Sequence, residues 1–220
     1  MTTDLTIALS KGKLLAPTLA LFRQAGFSSY HVNGDDRRLI LEFPAHGHRV
    51  LIVRASDVPS YVEYGAADIG VVGKDVLMEQ SLDVYEPMDL HLGICRLVVA
   101  RPKGQKPAQR LSSKLRVATK FPNITERFFN QKGLPVELIK LYGSIELAPL
   151  VGLADRIVDL VETGNTLKAN NLVEEDVIAW SSARLIVNRA SMKLKHTQIR
   201  GLMADIKKQI PRKPAVSKRS

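Results

Sequence analysis

The sequence predicts an α/β protein made of two small lobes. Short runs rich in Val, Ile and Leu alternate along the chain with amphipathic stretches, as in strand–helix units. A linker-like segment, Pro102-Lys103-Gly104-Gln105-Lys106-Pro107, lies near the middle of the 220 residues, and the strand–helix pattern starts again after it. Aromatic residues form only 5% of the chain, so its cores must be built from aliphatic side chains, as is usual in parallel α/β layers.

The composition narrows the class of protein. A hydrophobic fraction of 45% is ample for a folded core. The single cysteine, Cys95, excludes an internal disulfide, and its apolar surroundings are typical of a small core residue. The start of the chain lacks the basic and apolar regions of a signal peptide, and no run approaches the roughly 18 apolar residues of a membrane span. We therefore expect a cytoplasmic protein without a membrane partner.

The net charge of +10 is concentrated at one end of the chain. From Ser191 onward there are nine Lys or Arg against one Asp, whereas residues 1–190 hold 23 basic and 21 acidic side chains. The excess therefore belongs to the end of the chain, which includes a basic tail over residues 211–220. A basic tail on a nearly neutral body is usually solvated, so we expect no nucleic-acid partner.

The first lobe begins with a strand over residues 5–9, a short polar loop, and an amphipathic helix over residues 14–24. Within the loop, Gly12 allows the backbone to approach a ligand, and Lys11 and Lys13 supply positive charge. The loop is therefore a candidate phosphate site. A helix start with solvated lysines explains the same residues.

Two further strands are predicted over residues 37–43 and 48–54. Arg54 ends the second of them, so its guanidinium is expected at the carboxyl end of a strand, where open α/β sheets bind ligands. Arg37 lies instead at the amino-terminal end of its strand, and both arginines can equally be solvated surface charges. The next strand, over residues 67–73, contains Gly70 and Gly73, which admit either a flat ligand or a closely packed helix.

After the linker the pattern predicts strands over residues 115–119, 136–141, 157–161, 174–180 and 184–188, and helices over residues 122–131, 144–151 and 191–208. The last strand is expected to return to the first lobe. The predicted division is therefore residues 1–100 plus 184–210 for lobe I, residues 108–183 for lobe II, and residues 211–220 for the tail.

The segment that carries the most chemistry follows the strand at residues 157–161. It reads as a tight loop and a helix start, in which Gly164 permits a positive φ and Asn165 or Thr166 caps a helix that begins at Leu167. Such a loop aims several backbone N–H groups at one point, and the hydroxyls of Thr163 and Thr166 add side-chain donors. We expect a phosphate cradle, although an ordinary strand–helix turn has the same pattern.

Two acids flank this cradle. Asp159 and Glu162 would repel a phosphate unless they bind something else, and the vicinal hydroxyls of a ribose or a magnesium ion are the natural candidates. Together, the cradle and its acids predict a sugar phosphate as the ligand.

A longer match surrounds these residues. The run Gly143-Ser144-Ile145-Glu146-Leu147-Ala148-Pro149, then Gly152-Leu153-Ala154-Asp155, then residues 159–167 resemble the signature of ATP phosphoribosyltransferase, the first enzyme of histidine biosynthesis. The resemblance extends over residues 5 to about 190.

The resemblance implies a fold and a reaction. The fold is the two-lobed, type II architecture of periplasmic binding proteins, with the active site in the cleft between the lobes. The reaction transfers the phosphoribosyl group of phosphoribosyl pyrophosphate to the adenine ring of ATP, giving phosphoribosyl-ATP and pyrophosphate. It needs two polyanions held face to face and charge compensation on the leaving group, so positioning and electrostatics are expected to supply most of the rate.

The resemblance also implies roles for individual residues. Arg54, Arg37 and Lys11 are expected to neutralise the departing pyrophosphate, and Lys11, Gly12 and Asp68 are candidates for ATP binding. Glu146 belongs to the motif without an assigned role. No protein ligand is assigned to the magnesium cofactor, which is expected to bind mainly through substrate oxygens and water. The residues expected to bind phosphoribosyl pyrophosphate are Asp159, Glu162, Thr163, Gly164, Asn165, Thr166 and Leu167.

The length resembles the short form of the family, which works with a separate regulatory subunit similar to histidyl-tRNA synthetase. This implies a homodimer with basal activity and a hetero-oligomer that responds to histidine. Two other functions remain open from the residues alone. One is a phosphoribosyltransferase with a different acceptor, because the loop contacts only the donor; the other is a non-catalytic ligand-binding lobe of the same fold.

Overall fold

The computed structural model of the protein describes residues 5–27, 38–105 and 114–210, in which strands and helices alternate as the sequence predicts. The strands are β1 (Leu5–Ser10), β2 (Ile40–Phe43), β3 (His48–Val53), β4 (Ile69–Gly73), β5 (Tyr85–Asp89), β6 (Cys95–Pro102), β7 (Leu115–Thr119), β8 (Val136–Lys140), β9 (Arg156–Val161), β10 (Leu172–Ser181) and β11 (Ala183–Val187). The helices are α1 (Leu15–Gln24), α2 (Val58–Glu63), α3 (Lys74–Gln80), α4 (Pro122–Gln131), α5 (Leu147–Leu150), α6 (Asn165–Ala169), α7 (Arg189–Leu194) and α8 (His196–Gln209).

The chain divides into two compact units. Among the described residues, unit 1 contains those up to Leu77, Ser81–Gly93 and those from Ser182 onward, and unit 2 contains Met78–Gln80 and Ile94–Ser181. The sequence placed the division after residue 100 and at residues 183–184. The first boundary differs because β6 pairs with β9 and β10 and so belongs to the second sheet. An apolar strand does not specify by its own sequence which sheet it joins.

Unit 1 is built on a six-stranded mixed sheet in the order β2-β3-β1-β4-β11-β5. Strand β1 runs parallel to β3 and β4, and β11 runs antiparallel to β4 and β5. Its two faces are both buried: Ile7 and Leu9 of β1 pack in one apolar cluster, and Ala8 packs in another. Burial on both faces explains why β1 reads as a continuous apolar run.

Gly70 of β4 is needed for helix packing. A Cβ atom at this position would lie 2.8 Å from side-chain carbons of both Val58 and Val62 of α2. The glycine therefore lets α2 approach the sheet closely, which favours the packing explanation of the Gly-Val-Val-Gly run over the ligand explanation.

Unit 2 is built on a five-stranded sheet in the order β10-β6-β9-β7-β8. Strand β7 runs parallel to β8 and β9, so these three strands end at the same edge, and β6 runs antiparallel to β9 and β10. One face packs against α4 through Ile124 and Phe129, and the other packs against α5 and α6 through Ala148 and Leu167. The segment predicted to bind phosphate thus follows a strand of a sheet that has an apolar cluster on each face.

Two elements differ most from the sequence prediction, and the helix predicted over residues 144–151 is shorter, since α5 spans only Leu147–Leu150. Strand β5 was not predicted, because Pro87 and the flanking acids are poor strand residues; an edge position in the sheet tolerates a proline that cannot donate a hydrogen bond. The helix predicted over residues 191–208 is two helices that meet at Lys195. No helix within the described ranges is long and apolar enough to span a membrane.

Two glycines of unit 1 should respond oppositely to the same added methyl group. Gly201 lies inside α8 with open space around its Cβ position, so Gly201→Ala should raise the free energy of unfolding by about 0.5–1 kcal/mol. Gly26 has φ 101° and equally open space, so Gly26→Ala should lower it by about 1–2 kcal/mol. Urea unfolding followed by circular dichroism measures both, and shifts in the same direction would contradict the backbone argument.

Candidate active site

The loop predicted as a phosphate cradle connects β9 to α6 in unit 2. Gly164 has φ 81° and occupies the N-cap position of α6. The helix therefore begins at Asn165, two residues before the predicted start at Leu167, and no side chain caps it. The expectation that Asn165 or Thr166 caps the helix is wrong, because the left-handed turn at Gly164 already starts the helix there. Thr163 Oγ1 accepts a 3.4 Å hydrogen bond from the backbone N–H of Asn165.

The loop presents donors to the outside and is anchored from the inside. Thr163, Asn165 and Thr166 are exposed, whereas the Leu167 side chain is buried and packs in the apolar cluster of that face. The first N–H groups of a helix have no acceptor within it, so the first turn of α6 supplies donors. Because α6 has only five residues, its dipole adds little, so binding of an anion here would depend on these N–H groups and on the two threonine side chains.

Asp159 lies on β9, shortly before this loop, beside a lysine that the sequence analysis did not select. Lys120 Nζ is 3.7 Å from Asp159 Oδ1, and the same oxygen accepts a 2.8 Å hydrogen bond from the backbone N–H of Leu160. Lys120 directly follows β7, and its backbone is fixed because the Thr119 hydroxyl donates to the Val158 carbonyl at 2.8 Å and accepts from the N–H of Phe121 at 2.9 Å. The lysine is therefore held at the edge where β7 and β9 end.

The electrostatics of this cluster are unusual for a carboxylate. Burial raises the pKa of Asp159 above its ordinary value of 3.8, and the positive charge of Lys120 only partly opposes that effect. The negative charge of Glu146 raises the pKa of Asp159 further, which places Glu146 within electrostatic reach. Glu146 precedes α5 but does not cap it with its side chain. Glu146 is therefore a second acid near Asp159.

A second residue that the sequence analysis missed lies against the loop. Arg96 of β6 forms a two-pronged ion pair with Glu174 of β10 and donates a 3.3 Å hydrogen bond from Nη1 to the backbone carbonyl of Glu162. Glu174 is 78 positions away in the chain, so no local pattern could reveal the pair. Lys120 could have been found, because it follows the end of a parallel strand just as Arg54 does.

In unit 1, the structure brings Lys11 and Arg54 together. Strands β1 and β3 are parallel neighbours, and the backbone N–H of Lys11 donates a 2.7 Å hydrogen bond to the Val53 carbonyl. Both side chains are exposed at the carboxyl ends of their strands, and neither forms an ion pair with an acid of the described residues. Gly12 has φ 108° with open space around it. This edge therefore offers two cations to an anionic ligand.

Asp68 lies at the other end of the same sheet. It precedes β4, is 6% exposed, and accepts hydrogen bonds from the N–H of Thr6 at 2.8 Å, the Ser191 hydroxyl at 2.6 Å and Lys195 Nζ at 2.8 Å. These contacts attach α7 and the start of α8 to the sheet. The structure thus gives Asp68 a stabilising position apart from Lys11 and Arg54, and its role in ATP binding stays a prediction.

Arg37 lies outside the described residues. Within the described ranges, no three His, Cys, Asp or Glu side chains are grouped so that they could hold a metal ion.

Comparison with protein families gives a match over most of the chain. Residues 54–208 match the family model HisG, ATP phosphoribosyltransferase. The ATP phosphoribosyltransferase of Syntrophotalea carbinolica is 54% identical over 212 residues, which cover 94% of this chain and 96% of that protein. ATP phosphoribosyltransferase 2 of Geobacter sulfurreducens is 52% identical and is covered completely.

Solved structures agree with this match. A chain of the ATP phosphoribosyl transferase (HisG:HisZ) complex from Thermotoga maritima superposes with a TM-score of 0.82 at 35% identity, covering 94% of this chain and 98% of that one. The periplasmic aliphatic sulphonate binding protein SsuA from Escherichia coli superposes with a TM-score of 0.62 at 14% identity, covering 95% of this chain and 73% of that one. The second likeness confirms the predicted periplasmic-binding-protein-like fold. The chain therefore belongs to the ATP phosphoribosyltransferase family of glycosyltransferases, which act at the first step of histidine biosynthesis.

Proposed function

We propose that residues 162–167, the phosphate loop, bind the 5-phosphate of phosphoribosyl pyrophosphate and so position the donor for transfer to the adenine ring of ATP. The observation that carries this proposal is the left-handed turn at Gly164, which starts α6 in a loop where Thr163, Asn165 and Thr166 are exposed and Leu167 is buried. Backbone and hydroxyl donors of this kind suit a phosphate.

Acids next to the loop are assigned to the ribose. Asp159 and Glu162 accept hydrogen bonds from its hydroxyls, and Glu146 lies near enough to Asp159 to share that task. Their negative charge also favours the positive charge that develops on the ribose ring when pyrophosphate departs. Lys120 limits the repulsion between the carboxylates of Asp159 and Glu146, since its ammonium is 3.7 Å from Asp159.

The cations of unit 1 are assigned to the leaving group. Arg54 and Lys11 have exposed side chains at adjacent strand ends, and no described acid neutralises them. Pyrophosphate gains negative charge as its bond to the ribose breaks, so these cations stabilise the transition state more than the bound substrate. Arg37 is proposed for the same task from the sequence alone. Lys11 and the adjoining backbone at Gly12 are also proposed to contact ATP.

Magnesium is proposed as the cofactor. Asp159 and Glu146 are accompanied by Lys120, so this cluster suits one carboxylate contact to an ion whose other ligands are substrate oxygens and water. When bound, magnesium neutralises pyrophosphate oxygens; the protein residues hold the donor and orient it towards the adenine nitrogen.

The proposed assembly is a homodimer that joins a histidine-sensing regulatory subunit. Support for a second kind of subunit comes from the Thermotoga maritima relative, which was solved as a HisG:HisZ complex and whose chain is covered to 98% by this one. The homodimer and the histidine response are proposed from the sequence resemblance. A regulatory subunit similar to histidyl-tRNA synthetase, and a cytoplasmic location, stay predictions from the sequence.

The test mixes the purified chain with ATP, phosphoribosyl pyrophosphate and magnesium, adds pyrophosphatase to remove one product, and detects phosphoribosyl-ATP by mass. Donor binding is measured separately by calorimetry. Formation of phosphoribosyl-ATP supports both proposed substrates, phosphoribosyl pyrophosphate as the donor and ATP as the acceptor. If no product forms even with a regulatory subunit present, while the donor binds, the acceptor is wrong. If the donor does not bind, the role of the phosphate loop is wrong.

A further inference from the structure

Arg96 and Glu174 form an ion pair beside the phosphate loop, which no step proposed above uses. Arg96 lies on β6, where its backbone pairs with Val161, the last residue before the loop. Its Nε is 2.8 Å from Glu174 Oε2, and its Nη2 bonds the other carboxylate oxygen. Both side chains are partly exposed, at 22% and 31%. The two-pronged geometry fixes the orientation of the guanidinium plane.

The remaining nitrogen of the guanidinium contacts the loop itself. Nη1 donates to the Glu162 carbonyl at 3.3 Å, and Nη2 lies 3.8 Å from the position that a Cβ of Gly164 would occupy. Arg96 therefore holds one end of the loop by its backbone and lies alongside the residue that makes its sharp turn. The hydrogen bonds to Glu174 raise the pKa of Arg96, so the guanidinium remains charged.

The negative charge of Glu174 disfavours phosphate binding at the loop, and Arg96 neutralises that charge. Glu174 Oε1 lies 3.6 Å from the Cβ position of Gly164, so a carboxylate lies against the loop that is meant to accept an anion. At such distances, the charge would repel a phosphate unless it is neutralised. Arg96 bonds both oxygens of that carboxylate, and the pair is close to neutral.

The geometry points to Arg96 as a positioning residue for donor binding: it orients the phosphate loop through the Glu162 carbonyl and screens the loop from the Glu174 carboxylate. This inference rests on the proposed role of the loop in binding phosphoribosyl pyrophosphate. Arg96 does not need to touch the substrate, because both effects act through the loop and through Glu174.

The test compares Arg96→Ala, Arg96→Lys and the double variant Arg96→Ala/Glu174→Gln. Arg96→Ala loses both effects and should raise KM for phosphoribosyl pyrophosphate about 100-fold. The values of kcat and of KM for ATP should change little, because the loop binds the phosphate equally well in the ground state and in the transition state. The double variant also removes the negative charge of Glu174, so its KM for phosphoribosyl pyrophosphate should be about tenfold lower than that of Arg96→Ala. Arg96→Lys keeps the positive charge but cannot bind both carboxylate oxygens in one plane. Its KM should therefore lie between those of Arg96→Ala and the wild type.

The matched control is Asp176→Asn, because Asp176 lies on β10 like Glu174 but pairs with Lys132, which directly follows α4. It should leave both KM values unchanged. A wild-type KM for phosphoribosyl pyrophosphate in Arg96→Ala, or in Arg96→Lys if the alanine variant does not fold, overturns the inference. Failure of the double variant to improve on Arg96→Ala overturns the screening role. Failure of the wild-type chain to bind the donor, measured by calorimetry, is instead a failure of the proposed function.

Discussion

Replacing Arg54 by Ala is expected to lower the single-turnover rate of phosphoribosyl transfer by about 100- to 1,000-fold, with a much smaller change in donor binding. The guanidinium is exposed at the end of β3, and no described acid neutralises it, so its charge is available to the departing pyrophosphate. Charge on that group increases only as the bond to ribose breaks. The lost interaction therefore belongs to the transition state, which lowers kcat and kcat/KM together.

The control for Arg54 is Arg54→Lys, which keeps a point charge but cannot bind two oxygens in one plane, so it should retain an intermediate rate. Folding is not expected to change in either variant, because an exposed side chain that pairs with no acid of the described residues contributes little stability. Thermal unfolding checks this. An unchanged single-turnover rate in Arg54→Ala would show that pyrophosphate departs without its help.

Asp159→Asn should separate activity from stability. Asn cannot offer a negative charge to the ribose, so kcat/KM for phosphoribosyl pyrophosphate is expected to fall about 100-fold or more. At neutral pH the variant should nevertheless unfold at a higher temperature than the wild type. Burial and the charge of Glu146 disfavour the ionised carboxylate, while the amide oxygen of Asn still accepts the hydrogen bond from the N–H of Leu160.

The pH dependence of this stability difference has a definite sign. The pKa of Asp159 in the folded protein is raised above the ordinary value of 3.8, so the folded protein binds the proton more tightly than the unfolded chain does. The stabilising contribution of protonated Asp159 is complete below the unfolded value and is lost as the pH rises through the folded value. The advantage of Asp159→Asn should therefore appear at neutral pH and vanish below about pH 3.8.

Asp176→Asn serves as the comparison for Asp159, since it makes the same chemical change at a half-exposed ion pair. It should leave kcat/KM unchanged and alter the unfolding temperature at neutral pH only slightly. If Asp159→Asn proves less stable than the wild type at neutral pH, the pairing with Lys120 outweighs burial, and the sign given above is wrong.

Much of the fold could be predicted because its signals are local. The strands at residues 115–119 and 157–161 are β-branched runs between turn residues, and helix α4 begins at its proline, so each is encoded by neighbouring residues. The strand–loop–helix motif is also contiguous, and Gly164 has the positive φ expected of it. Arg54 was selected because it follows a strand whose direction the alternating pattern implies, and its role stays a prediction.

The sequence alone therefore determined most of the strands and helices, the glycine turn within residues 162–167, and the family to which these residues point. Tertiary structure decided the rest. It placed β6 in the second sheet, put Arg96 and Glu174 in contact across 78 positions, gathered Lys120 and Glu146 around Asp159, and buried Asp68 away from Lys11 and Arg54. Strand pairing and side-chain charge pairing join residues that are distant in the chain, and no short pattern encodes which distant partner a strand or a charge will meet.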